Sequence, residues 1–144
     1  MFDKNDKIQL RQIIMEHYTQ PDFKGLIDNN QSIIKFQDSP TCSDEINVQL
    51  LIENNIIKEA RFDGNACAIS TASTDILCYK LKNLEVKEAQ NQLLNYYNMI
   101  SGNDYDESIL EELIAFWEIN KQGNRINCAL LGADGFKSIL NKEV

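Results

Sequence analysis

The feature that most constrains the fold is a run of alternation in the first half of the chain. Ile46, Val48, Leu50 and Ile52 point one way, and Glu45, Asn47, Gln49 and Glu53 point the other, with Leu51 the one exception. Period two is the pattern of a strand with one buried face. Asn54-Asn55 follows, a pair that tolerates the positive φ of a two-residue hairpin turn. Residues 56–63, IIKEARFD, then supply the return strand, and Ile33, Ile34 and Phe36 an earlier one. The expectation is an antiparallel meander of about three strands.

Helical periodicity surrounds this block. Residues 6–18 carry Ile8, Ile13, Ile14 and Met15 at helical spacing, and the helix stops before Pro21 because proline disfavours helix in the residue before it. Residues 19–31, with Gly25, Asn29 and Asn30, read as loop. Residues 68–81 read as a helix although rich in Ser and Thr. Residues 86–101 are a second, with Val86, Ala89, Leu93, Leu94, Tyr97 and Ile100 on one side. After a loop at 102–108, residues 109–119 predict a third helical segment. Residues 119–127 are polar and read as a connection, and a last helix runs from near Cys128 to about Asn141. Strands first and helices after predict an α+β fold. One domain spans residues 1–144, with helices packed on one face of the sheet.

Charge narrows the function classes. The chain has 144 residues, with 14 Lys and Arg against 22 Asp and Glu, a formal net charge of −8. A phosphate backbone or an anionic bilayer is bound through clustered Lys and Arg, and this sequence has no such cluster. Nucleic acid and membrane are therefore not expected partners. No apolar stretch approaches the roughly 20 residues of a membrane span. The opening MFDKNDKIQLRQ lacks the apolar core of an export signal, which predicts a cytoplasmic location.

Four cysteines, Cys42, Cys67, Cys78 and Cys128, then need an explanation. In a reducing compartment they are expected to be buried, metal-bound or reactive rather than cross-linked. No CxxC pair is present, so the zinc-ribbon pattern has no support. Three of the four fall at predicted element ends: Cys42 between the first two strands, Cys67 before a helix, Cys128 at the expected start of the last helix. Such places present reactive groups, and a helix N-terminus stabilises a thiolate. Asp44 shares the loop of Cys42. Three thiolates and a carboxylate are donors that tetrahedral zinc accepts, and the carboxylate is the harder and more exchangeable among them. Cysteine is also among the most buried residue types, and spacing does not show that the three loops meet.

The motifs PTCSD at 40–44, NACAIS at 65–70 and RINC at 125–128, preceded by HYTQPDFKG at 17–25, resemble the U-type iron–sulfur cluster assembly proteins. This is the family of IscU, SufU and the NifU N-terminal domain, and the similarity runs from about residue 8 to residue 140. The phrase IIKEARFDG supports it. Cys67 and Cys128 lie 61 positions apart, and GNDYDESILEEL resembles an insertion carried by SufU-type members. Asn127 stands where IscU-type scaffolds usually have histidine. Their Leu-Pro-Pro-Val-Lys motif is absent, and Arg125 matches the SufU type. The resemblance therefore points to the SufU branch.

That resemblance implies a SufE/IscU-like fold and a role in iron–sulfur cluster biogenesis. It implies zinc held by Cys42, Asp44, Cys67 and Cys128. It also implies sulfurtransferase-like chemistry: Cys42 accepts persulfide sulfur from a SufS-like cysteine desulfurase dependent on pyridoxal phosphate, with Arg125 supporting the thiolate or binding the partner. The alternative is a scaffold on which a transient iron–sulfur cluster is assembled and passed to carrier or recipient proteins. A purely structural zinc domain used for protein binding is the third reading. Two positions depart from the family pattern: Ser43 and Ala66 stand where glycine is usual, and strain follows if either needs positive φ.

Other conspicuous residues have structural readings. The single histidine, His17, is expected to pack or hydrogen-bond, and Cys78 to be buried. The acidic run of Asp104, Asp106, Glu107, Glu111 and Glu112 reads as a solvated surface. Tyr96, Tyr97, Phe116 and Trp117 read as core.

Overall fold

A computed structural model describes residues 2–39 and 43–142. The expected meander is present. Strands β1 (Ile33–Asp38), β2 (Glu45–Glu53) and β3 (Ile56–Asn65) form one antiparallel sheet in the order β1-β2-β3. Ile33 pairs with Leu50 and Asp38 with Glu45, while Glu45 pairs with Asn65 across the other edge of β2. Asn54 and Asn55 have φ of 54° and 67°, as a tight hairpin with two left-handed residues requires.

One sheet face is apolar: Ile46, Val48, Leu50, Ala60 and Phe62 are all buried. Helices α2 (Ala68–Leu81) and α5 (Gly123–Lys142) pack on it, with α1 (Lys7–Thr19) against α2 and α3 (Val86–Ile100) against α5. Close packing needs small residues at the contacts. A Cβ on Gly132 would run into the Thr74 side chain, and one on Gly135 into Val48. These two glycines bring α5 close to α2 and to the sheet.

Several details differ from the expectations. Gln49 does not face solvent. It is 1% exposed, and its side-chain amide bonds Ile27 N, Ile27 O and Ser32 Oγ at 2.8–2.9 Å. The buried stripe of α3 includes Tyr96 and Met99, while Leu94 is exposed. Residues 109–119 are not one helix. A short α4 (Glu107–Leu110) ends at Glu111, which has φ of 50°, and two 3₁₀ turns follow at Glu111–Phe116 and Ile119–Lys121. Leu110, Leu113, Ile114, Phe116 and Ile119 are all buried, and a tighter wrap delivers them to the core from more than one face.

Finally, α5 begins at Gly123 rather than near Cys128. Asn124, Arg125 and Asn127 are the exposed face of its first turns, while Ile126 is half-buried. Cys128 therefore lies in the second turn of the helix, beyond the reach of first-turn dipole stabilisation.

Candidate metal centre

The site lies where the turn into β2, the end of β3, and helices α2 and α5 converge. Gly64 carries β3 to this point with φ of 124°, and a Cβ there would strike the Glu45 carbonyl oxygen. Cys67 follows as the N-cap of α2, in extended conformation, and its Sγ accepts from Ser70 N at 3.5 Å. A side-chain acceptor at this position satisfies one of the unpaired N–H groups of the first turn. That capping role fixes the thiol at the helix N-terminus, as expected from the sequence.

Asp44 and Cys128 are each 6% exposed, and Cys67 is half-buried. One ligand atom from each of Asp44, Cys67 and Cys128 lies within 4.8 Å of the others. The resemblance thus named three residues, far apart in sequence, that the fold brings together. Cys42, the fourth, lies outside the described residues. Cys78 is fully buried in α2, and burial pushes its thiol well above the ordinary range, as a core cysteine. Arg125 is exposed in the first turn of α5, three residues and about one turn before Cys128.

The donors are held by a hydrogen-bonded shell. Cys67 N donates to Asp44 Oδ1 at 2.9 Å. Ser70 Oγ lies 2.8 Å from Asp44 Oδ2 and 3.0 Å from the Cys128 carbonyl oxygen. Ser39 N donates to Asp44 O at 3.1 Å, beside the paired ends of β1 and β2. The set fits zinc: two soft sulfurs and a hard oxygen are its usual ligands. Bonds of about 2.3 Å in a tetrahedron place donors just under 4 Å apart, within the separation observed. Ala66 is not among the residues with positive φ, so its Cβ imposes no strain of that kind.

Ser70 was not singled out by the sequence. It sits in the Ser/Thr-rich start of α2, three residues after Cys67, and that N-cap spacing is the signal that could have found it. His17 is not a ligand candidate. It bridges Asp75 Oδ2 at 2.6 Å and Glu112 Oε2 at 3.1 Å, tying α1 to α2 and to the first 3₁₀ turn. The acidic run is also less free than expected. Glu112 holds His17, Glu107 pairs with Lys4, and Glu111 pairs with Lys80.

A three-stranded meander backed by helices, gathering two cysteines and an aspartate from distant segments, defines a small α+β protein with a thiol-and-carboxylate centre. The chain belongs to the NifU-like N-terminal domain family, whose profile matches residues 9–129. It is 32% identical over 143 residues to the zinc-dependent sulfurtransferase SufU of Bacillus subtilis, covering 99% of this chain and 96% of that one. It is 26% identical to the iron–sulfur cluster assembly scaffold protein IscU of Thermotoga maritima, covering 94% and 95%. Among solved structures, the SufU of Fervidobacterium islandicum, provisionally assigned as a cluster assembly scaffold for the SUF system, superposes with a TM-score of 0.85. Its identity is 28%, with 90% of this chain and 94% of that one covered. The N-terminal NifU-like protein of Brucella abortus, at 16% identity and a TM-score of 0.81, shares the fold.

Proposed function

We propose that this chain is a zinc-dependent sulfur acceptor in iron–sulfur cluster biogenesis, working with a cysteine desulfurase. The observation that carries the reading is the convergence of Asp44, Cys67 and Cys128 within 4.8 Å. The relationship to the zinc-dependent sulfurtransferase SufU supplies the chemistry. Asp44, Cys67 and Cys128 would hold the metal, with Cys42 as the fourth ligand. Zinc there would keep those thiols deprotonated.

The transfer is thiol exchange. The Cys42 thiolate uses a sulfur lone pair to attack the outer sulfur of the desulfurase persulfide. The new S–S bond forms as the old one breaks, and its electron pair leaves on the desulfurase cysteine. No net oxidation occurs, and the product is a persulfide on Cys42. A metal-bound thiolate would be a blunted nucleophile, so the attacking group is the uncoordinated Cys42 thiolate. Arg125, one turn before Cys128, adds a cation that supports that thiolate or the docked partner. The desulfurase is SufS-like and dependent on pyridoxal phosphate, and the sulfur goes on to carrier or recipient proteins in the cytoplasm. Among the described residues no helix is long and apolar enough to cross a membrane.

A second reading, a scaffold for a transient iron–sulfur cluster, is favoured by the relationship to IscU. Asn127 in place of the usual histidine weighs against it.

The test is desulfurase turnover. The wild-type chain should accelerate cysteine desulfuration by the source organism's SufS-type enzyme, and C42A should abolish the acceleration. Equal acceleration by C42A would overturn the acceptor role and leave a structural zinc domain.

A further inference from the structure

We propose that Ser70 is the positioning residue of the metal centre: its one buried hydroxyl sets Asp44 in register with both cysteines. The inference rests on the metal-binding reading of Asp44, Cys67 and Cys128, and it goes beyond that reading by assigning what aims the donors.

Ser70 is fully buried in the first turn of α2. It contacts all three donor residues, through its backbone N–H and its hydroxyl. Its backbone N–H points at Cys67 Sγ, its Oγ lies 2.8 Å from Asp44 Oδ2, and the same Oγ lies 3.0 Å from the Cys128 carbonyl oxygen. With Cys67 as a thiol, Sγ also faces Ser70 Oγ at 3.6 Å. The three donors come from the turn before β2, the cap of α2 and the second turn of α5. Among the described residues, Ser70 is where these three segments share hydrogen bonds to one side chain.

The hydroxyl has one proton and two acceptors in reach. Donated to Asp44 Oδ2, the proton fixes the carboxylate plane together with the Cys67 N–H on Oδ1. Donated to the Cys128 carbonyl, it fixes the backbone of the Cys128 turn instead. A single rotation of Oγ–H therefore exchanges support between the carboxylate and the cysteine segment. Outer-shell partners of this kind typically change metal affinity by about 10–100-fold when removed.

Ser73 provides an internal control. It is equally buried on the same helix, and its hydroxyl donates to Ser70 O at 3.2 Å. S70A and S73A each remove one buried hydroxyl from α2, and only the first touches the donors. The experiment measures zinc affinity of the full chain by competition with a chromogenic chelator, and records the absorption bands of the cobalt-substituted protein. S70A should bind zinc about 10–100-fold more weakly and shift the cobalt bands. S73A should stay within about threefold of wild type with unchanged bands, because it removes no donor contact. The pair S70T and S70V repeats the comparison at constant shape, so a folding defect in S70A does not decide the outcome. Wild-type affinity and spectrum in S70A and S70V would overturn the inference, as would an equal loss in S73A. Failure of the wild-type chain itself to bind zinc would instead overturn the metal-centre reading, and this inference with it.

Discussion

The backbone N–H of Cys67 donates to Asp44 Oδ1 at 2.9 Å. One donor of the centre is therefore oriented by the residue that supplies another. The bond joins the end of the β2–β3 pair to the N-cap of α2, so the carboxylate is placed by the fold as well as by its own loop. D44A removes both a proposed ligand and this bond's acceptor. Zinc affinity should fall by at least the roughly 100-fold seen for the strongest outer-shell losses, as measured by chelator competition. Retained affinity would remove Asp44 from the ligand set.

The spacing of α2 and α5 gives a second prediction, at a residue with no donor atom. Gly132 lies against Thr74, and an added Cβ would collide with its side chain. G132A must push α5 off α2, and overpacking of this kind costs about 1–3 kcal/mol. Cys128 moves with α5, so zinc should bind more weakly although every ligand is intact. Urea denaturation and chelator competition on the same variant check both effects.

His17 predicts a pH dependence of stability. Its hydrogen bonds to Asp75 and Glu112 outweigh burial and push its pKa up to about 10 from an ordinary 6.5. A group raised on folding stabilises fully below its unfolded pKa and loses that contribution as pH rises through its folded value. The urea midpoint should therefore fall between about pH 6.5 and pH 10. H17Q should flatten that fall and cost most at the acid end of the window. A wild-type slope in H17Q would show that the ion pairs do not form in solution.

Cys78 separates core thiols from working ones. It is fully buried, and burial holds its thiol protonated. In the native, metal-free chain, iodoacetamide should modify Cys67 well before Cys78, with peptide mass spectrometry as the readout. C78A should leave zinc content unchanged. Early labelling of Cys78 would contradict the packing of α2.

The legible parts of the sequence were those with a simple period or a local signal. The alternation through the first half of β2, the Asn54-Asn55 turn and Cys67 before α2 stand in the structure as expected, while Gln49 and Leu51 break the alternation in the second half of the strand. The start of α5 was hidden because Asn124, Arg125 and Asn127 look like a loop, whereas they are the wet side of a helix. Residues 109–119 have helical spacing, but burying Leu110, Leu113, Ile114, Phe116 and Ile119 around the core overrides it. The shell around the donors was the least legible. Ser70, Thr71, Ser73, Thr74 and Asp75 are all buried, and a polar run of that kind reads from sequence as an exposed face. Their partners, such as Asp44 for Ser70 and His17 for Asp75, lie 26 and 58 residues away in the chain. No local pattern reports a hydrogen bond of that range.

Metal content shows whether Asp44, Cys67 and Cys128 hold zinc. The chain should be purified anaerobically without chelator and measured by elemental analysis, alongside acid-labile sulfide. The account predicts one zinc per chain, with little iron and no sulfide. Iron with matching sulfide would contradict it in favour of the cluster scaffold, and a chain without metal would contradict the centre itself.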